Sequence, residues 1–164
     1  MMPHAAQLTM PAAAERAVPL RAPEAPPFPA FLRLLNAYGV DFLAIGRHAI
    51  AFHGCPSLVH DADIVVLPHA ENVRRLVLCL SDFGFGDLGV SAKDFSGNAT
   101  VTLGRAPRQL DLTTYIAGVD LEAAWARRVP GTLATVVVHF IDKADFLRNR
   151  HVVGRPEDLA RLER

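Results

Sequence analysis

The chain has 164 residues, 51% of them hydrophobic, and its 17 basic and 17 acidic side chains cancel to a formal charge of zero. That length buries one respectable core but not two. The charge balance excludes a global electrostatic pull toward nucleic acid or an acidic membrane, leaving only local patches.

Seven of the twelve prolines fall within the first 29 residues, interspersed with alanine. Such a stretch cannot sustain a helix and has little to bury, so residues 1–28 are expected to be an extended or disordered tail, dispensable for folding. A single domain is expected over residues 29–164. No segment approaches the length of a membrane-spanning helix, and the N-terminus lacks the continuous apolar region of a secretory signal. Cys55 and Cys79 lie far apart without metal-binding spacing, so buried free thiols are expected. A cytoplasmic protein with no membrane partner follows from these features.

From Pro29 the pattern becomes periodic. Phe31, Leu32, Leu34 and Leu35 give a helix an apolar face, and Gly39 suits its C-terminal cap. Residues 40–45 read as a strand, 48–53 as a brief helix, 61–67 as a second strand and 71–81 as an amphipathic helix ending near Gly84. Strands are predicted at 99–103 and 109–113, a helix at 121–127, a strand at 135–141, and helices at 143–150 and 156–162. Alternating strands and helices with one adjacent strand pair predict a mixed α/β sheet flanked by helices.

Two of these strands carry carboxylates. Side chains two apart on a strand share a face, so Asp61 and Asp63 would project together while Ala62 turns away. Asp111, in the alternating run Gln109-Leu110-Asp111-Leu112-Thr113, would be a third. Hard oxygen ligands suit Mg²⁺, which keeps waters and recruits substrate phosphates, whereas zinc favours Cys and His. Against this stands the chance occurrence of Asp-x-Asp as ordinary strand-end and surface residues.

The run Phe42-Leu43-Ala44-Ile45-Gly46-Arg47-His48-Ala49, with Phe52-His53-Gly54 and Asp61-Ala62-Asp63-Ile64-Val65-Val66, resembles the core of small stand-alone nucleotidyltransferases of the DNA polymerase beta superfamily. The C-terminal Gly154-Arg155-Pro156-Glu157-Asp158-Leu159-Ala160 is similar to a pattern of the bacterial subgroup found in toxin-antitoxin and abortive-infection systems. The resemblance implies a nucleotidyltransferase-like fold in which Asp61, Asp63 and Asp111 ligate Mg²⁺, with Asp111 also serving as base. It further implies that Gly46 supports the triphosphate of a nucleoside triphosphate and that NMP is transferred to a hydroxyl of an RNA, a protein or a small molecule. The alternative it leaves open is a catalytically degenerate member acting as a regulatory partner of an antitoxin-like protein.

The departures concern the site. Arg47 stands where the family has a second small residue, either obstructing the triphosphate or offering it a guanidinium, and it is expected to lie against the carboxylates when no metal is bound. Ser57 and Val59 replace a common Arg and Thr, and Glu157 reverses the charge of a common Lys. His60-Asp61 begins an apolar strand and so lacks the helical context of a phosphohydrolase pair. Arg148, Arg150, Arg155, Arg161 and Arg164 form a candidate local basic patch, although helix-surface arginines are most often merely solvated.

Overall fold

Alternation in the strands sorts the core into two layers. The structure is a computed structural model and describes residues 14–18, 28–54, 62–105 and 108–162. Seven strands, β1 (Ala14–Val18), β2 (Phe42–Ala44), β3 (Ala62–Val66), β4 (Ala99–Arg105), β5 (Arg108–Thr113), β6 (Val129–Leu133) and β7 (Val136–Phe140), form one sheet in the order β1-β4-β5-β3-β2-β7-β6. Parallel pairings (β1–β4, β3–β5, β2–β7) alternate with antiparallel ones (β4–β5, β2–β3, β6–β7), so the expected mixed α/β sheet is present.

On one face, α1 (Phe28–Ala37) and α3 (Ala70–Leu80) cover Phe42, Ala44, Ile64, Val66, Val101, Leu103 and Leu112. On the other, α2 (Gly46–Phe52), α4 (Leu121–Ala126), α5 (Lys143–Val153) and α6 (Pro156–Leu162) pack against Leu43, Val65 and Ile141. Strand neighbours thus serve opposite layers, as a period of two requires. On the second face, the neighbouring strands β4 and β5 present Thr100, Thr102, Gln109, Asp111 and Thr113 in place of apolar residues. That polar half-face is the floor on which a site can form.

Three local devices fix the second layer. Asp120 and Asp142 cap α4 and α5 by accepting from the Ala123 and Ala144 amides, at 2.9 Å each. Asp145, fully buried in the first turn of α5, accepts from Nε and Nη2 of Arg127 (3.0 and 2.7 Å) and from Nη1 of Arg148 (2.9 Å), tying α5 to the end of α4. A buried carboxylate requires such pairing.

Two strands differ from expectation. Residues 14–18, within the stretch read as an extended or disordered tail, form β1 on the edge of β4. The physical reason is that 12–18 is free of proline, and an edge strand tolerates prolines close to its ends. The rest of 1–27 lies outside the described residues. Strand β6 was hidden by Pro130-Gly131, which reads as a turn; Pro130 is accommodated because β6 is the opposite edge of the sheet. Among the described residues no helix is long and apolar enough to cross a membrane.

Candidate functional site

Strands β3 and β5 run parallel, and their register sets Asp63 directly opposite Asp111. Paired strands lie about 4.8 Å apart, and register partners share a face, so the two carboxylates emerge side by side. Both belong to the face opposite Ile64 and Leu112, the face of α2, α5 and α6. Asp61 lies outside the described residues. Among the described residues, accordingly, no group of three metal-ligating side chains assembles, and the acidic centre consists of this pair.

The end of β2 delivers Gly46 to the same place. The Ile45 amide donates to the Asp63 carbonyl (3.1 Å), and the chain then turns through Gly46 at φ +63 into α2. A Cβ on Gly46 would overlap Asp63 Oδ2 and lie 3.0 Å from Asp63 Cβ and Cγ. The glycine therefore serves two needs at once, a left-handed backbone and a close approach of the Asp63 carboxylate. The resemblance implies that Gly46 supports a triphosphate; the space left by its missing side chain is filled by Asp63.

Asp111 is held from its own sheet. Thr102 Oγ1 donates to Oδ1 (2.7 Å), and Gln109 Nε2 lies 3.1 Å from both Oδ1 and Oδ2. Thr102 is the register partner of Asp111 on β4, and Gln109 is two residues earlier on β5, so all three share a face by the pleat alone. Beside them, Thr100 donates to Thr113 across the strands (3.3 Å).

Of these groups, Gly46, Asp63, Thr100, Asp111 and Thr113 line, together with Arg47, the sheet side of one cleft of about 520 Å³, while Thr102 and Gln109 reach it only through Asp111. Its opposite wall comes from Tyr115 to Ala117 and from the junction of α5 and α6, including Asn149, Arg150, Arg155 and Glu157. Asn149 anchors that wall by donating to the Ala117 carbonyl (3.0 Å). The junction turns at Gly154 (φ +68), where the Arg155 amide reaches back to the Arg150 carbonyl (3.1 Å), a left-handed helix termination that glycine suits. The guanidinium of Arg150 lies over the Phe146 ring, 4.5 Å from its centroid.

Of the expected site residues, the structure therefore gathers Gly46, Arg47, Asp63 and Asp111. The expectation that Arg47 lies against the carboxylates is corrected. Arg47 is exposed on the rim, and among the described residues it makes no ion pair with Asp63 or Asp111. Asp111 already accepts hydrogen bonds from Thr102 and Gln109, which reduces the pull on a flexible guanidinium that hydrates well where it is.

The basic patch divides: Arg150 and Arg155 face the cleft, whereas Arg148 is committed to Asp145. Sequence reading missed Thr100, Thr113, Tyr115 and Asn149, which carry no motif and meet only through the fold. The donor set fits a hard cation, since the lining offers carboxylate and hydroxyl oxygens with no Cys or His among its described residues. No family model matches the chain, and no curated protein does.

Proposed function

We propose that this chain is a Mg²⁺-dependent, nucleotidyltransferase-like protein that binds a nucleoside triphosphate in the cleft between β3, β5 and the α5–α6 junction. The observation that carries the reading is the register pairing of Asp63 with Asp111 beside the Gly46 turn, all lining one cleft with three arginines. Asp63 and Asp111 would hold the ion, with Asp61 as the further ligand implied by the sequence resemblance. When bound, Mg²⁺ supplies neutralisation of triphosphate charge and activation of a hydroxyl.

The remaining work falls to the protein's own groups. Helix α2 has only seven residues, so its dipole contributes little to holding a triphosphate. The guanidinium groups of Arg47 and Arg155, exposed on the rim, are the stronger attraction for phosphate oxygens. The resemblance implies that Asp111 would take the proton of an acceptor hydroxyl as its oxygen bonds to the α-phosphorus and pyrophosphate leaves. The acceptor class stays as wide as a hydroxyl on RNA, protein or a small molecule.

A second reading, a degenerate member of this fold acting as a binding partner in a toxin-antitoxin-like assembly, is favoured by one observation. Gln109 already spans both oxygens of Asp111. Calorimetric titration of nucleoside triphosphates with and without Mg²⁺ separates the two. The first reading expects Mg²⁺-dependent binding, weakened about tenfold or more by Asp63→Asn as an anionic ligand is lost. Binding that ignores both the ion and the substitution would leave only the second.

A further inference from the structure

The Gln109 amide nitrogen is equidistant from the two oxygens of Asp111, at 3.1 Å from each, the same relation to a carboxylate that a chelated cation takes. Thr102 adds a bond to Oδ1 at 2.7 Å. A carboxylate offers about four lone-pair sites. Among the described residues, partners occupy two on Oδ1 and one on Oδ2, which leaves one acceptor position, on Oδ2.

We propose that Gln109 is a specificity-determining positioning residue that restricts Asp111 to single-oxygen coordination and thereby selects Mg²⁺ over Ca²⁺ at this cleft; the proposal rests on the metal-binding reading above. The two ions differ in the coordination they need. Mg²⁺ takes six ligands in near-octahedral geometry, keeps several waters and uses one or two carboxylates, so a single oxygen from Asp111 suffices. Ca²⁺ takes six to eight oxygens and gains from two-oxygen carboxylates. An amide donor spanning Oδ1 and Oδ2 obstructs that mode sterically and competes for the same lone pairs. Gln109 reaches this position because residues two apart on β5 share a face, and its side chain is long enough to return to Asp111 along the strand.

The test is calorimetric titration of Mg²⁺ and of Ca²⁺ separately into the full chain and into Gln109→Leu, Gln109→Met and Thr102→Val. Met keeps the length of the side chain, Leu is one atom shorter, and both remove the donor, so one remains informative if the other folds poorly. The expected result is a Ca²⁺ affinity that rises about fivefold or more relative to Mg²⁺ in both, as two-oxygen chelation becomes available. Thr102→Val frees one oxygen without lifting the bridge, and its Ca²⁺/Mg²⁺ ratio should stay at the wild-type value. Mg²⁺ binding with an unchanged ratio in the Gln109 variants, or an equal rise in Thr102→Val, would overturn the selectivity role and leave the metal site standing. Failure of every form to bind either ion would overturn the metal site itself, and the selectivity role with it.

Discussion

Gly46 and Asp63 occupy complementary space: the position of a Gly46 Cβ coincides with the Asp63 carboxylate, and the backbone there is left-handed at φ +63. One residue is small so that the other can stand where it does. Replacing Gly46 by Ala incurs about 1 kcal/mol or more for the left-handed conformation and roughly 1–3 kcal/mol for the overlap. A destabilisation of about 2–4 kcal/mol is expected in urea unfolding, together with loss of Mg²⁺ binding as Asp63 is displaced. The overlap part should shrink in an Asp63→Ala background, which removes Oδ2 and Cγ. A double-mutant cycle with no coupling between the two positions would refute the relationship.

Arg47 is the departure with the clearest consequence for ligand binding. Because it is exposed on the rim and makes no ion pair with either described carboxylate, no ion pair among the described residues must break before it meets a phosphate. Arg47→Ala should therefore weaken triphosphate binding by about 1 kcal/mol, roughly fivefold, and reduce its salt dependence. Tighter binding in the variant would show instead that the side chain obstructs the approach.

Much of the floor of this site was legible in the sequence, for a reason particular to strands. In Gln109-Leu110-Asp111-Leu112-Thr113 the apolar residues mark the buried layer, so the parity of Asp111 is fixed without any tertiary information, and the same holds for Asp63 against Ile64 and Val66. That the two aspartates meet depends on the β3–β5 register, a long-range property that periodicity alone does not carry. The far wall was legible only as a motif: nothing local brings Arg155 toward Asp111, and the tether from Asn149 to the Ala117 carbonyl spans 32 residues.

The β6–β7 hairpin escaped for a different reason. Its turn residues are Ala134 (φ 47) and Thr135 (φ 68), left-handed positions ordinarily announced by Asn or Gly. The strand pairing imposes the turn on residues that do not favour it.

Strand β1 alters what truncation should do. Removal of the residues before Glu24 deletes an edge strand of five residues that pairs with β4 alone. The conformational entropy lost on ordering an edge strand offsets much of what its backbone pairing contributes, so the unfolding free energy should change little. The free edge of β4 has a different effect, because an unpaired strand edge is a template for another chain. Sedimentation velocity should show concentration-dependent association of the truncated protein. A truncated form that stays monomeric and loses much stability would mean that the N-terminal segment packs on the domain by more than backbone pairing.

Cys79 supplies a test of the first core layer that is independent of the cleft. It is fully buried on α3, and its thiol is pushed up to about 12, first by burial and further by the charge of Asp82. In a Cys55→Ser background, a thiol reagent at pH 8 should label Cys79 only as fast as the protein opens, because neither access nor thiolate is available in the folded state. The linkage has a definite sign. The unfolded thiol ionises near 9.0 while the folded one stays protonated to about 12, so across that window the unfolded chain binds fewer protons and stability falls as pH rises. The contribution approaches a slope of about 1.4 kcal/mol per pH unit between those values. Comparing the pH dependence of unfolding with that of Cys79→Ala isolates it from other alkaline titrations, since the alanine carries a fixed cavity cost and no proton. Parallel stability curves for the two proteins, or labelling much faster than unfolding, would place Cys79 outside the core.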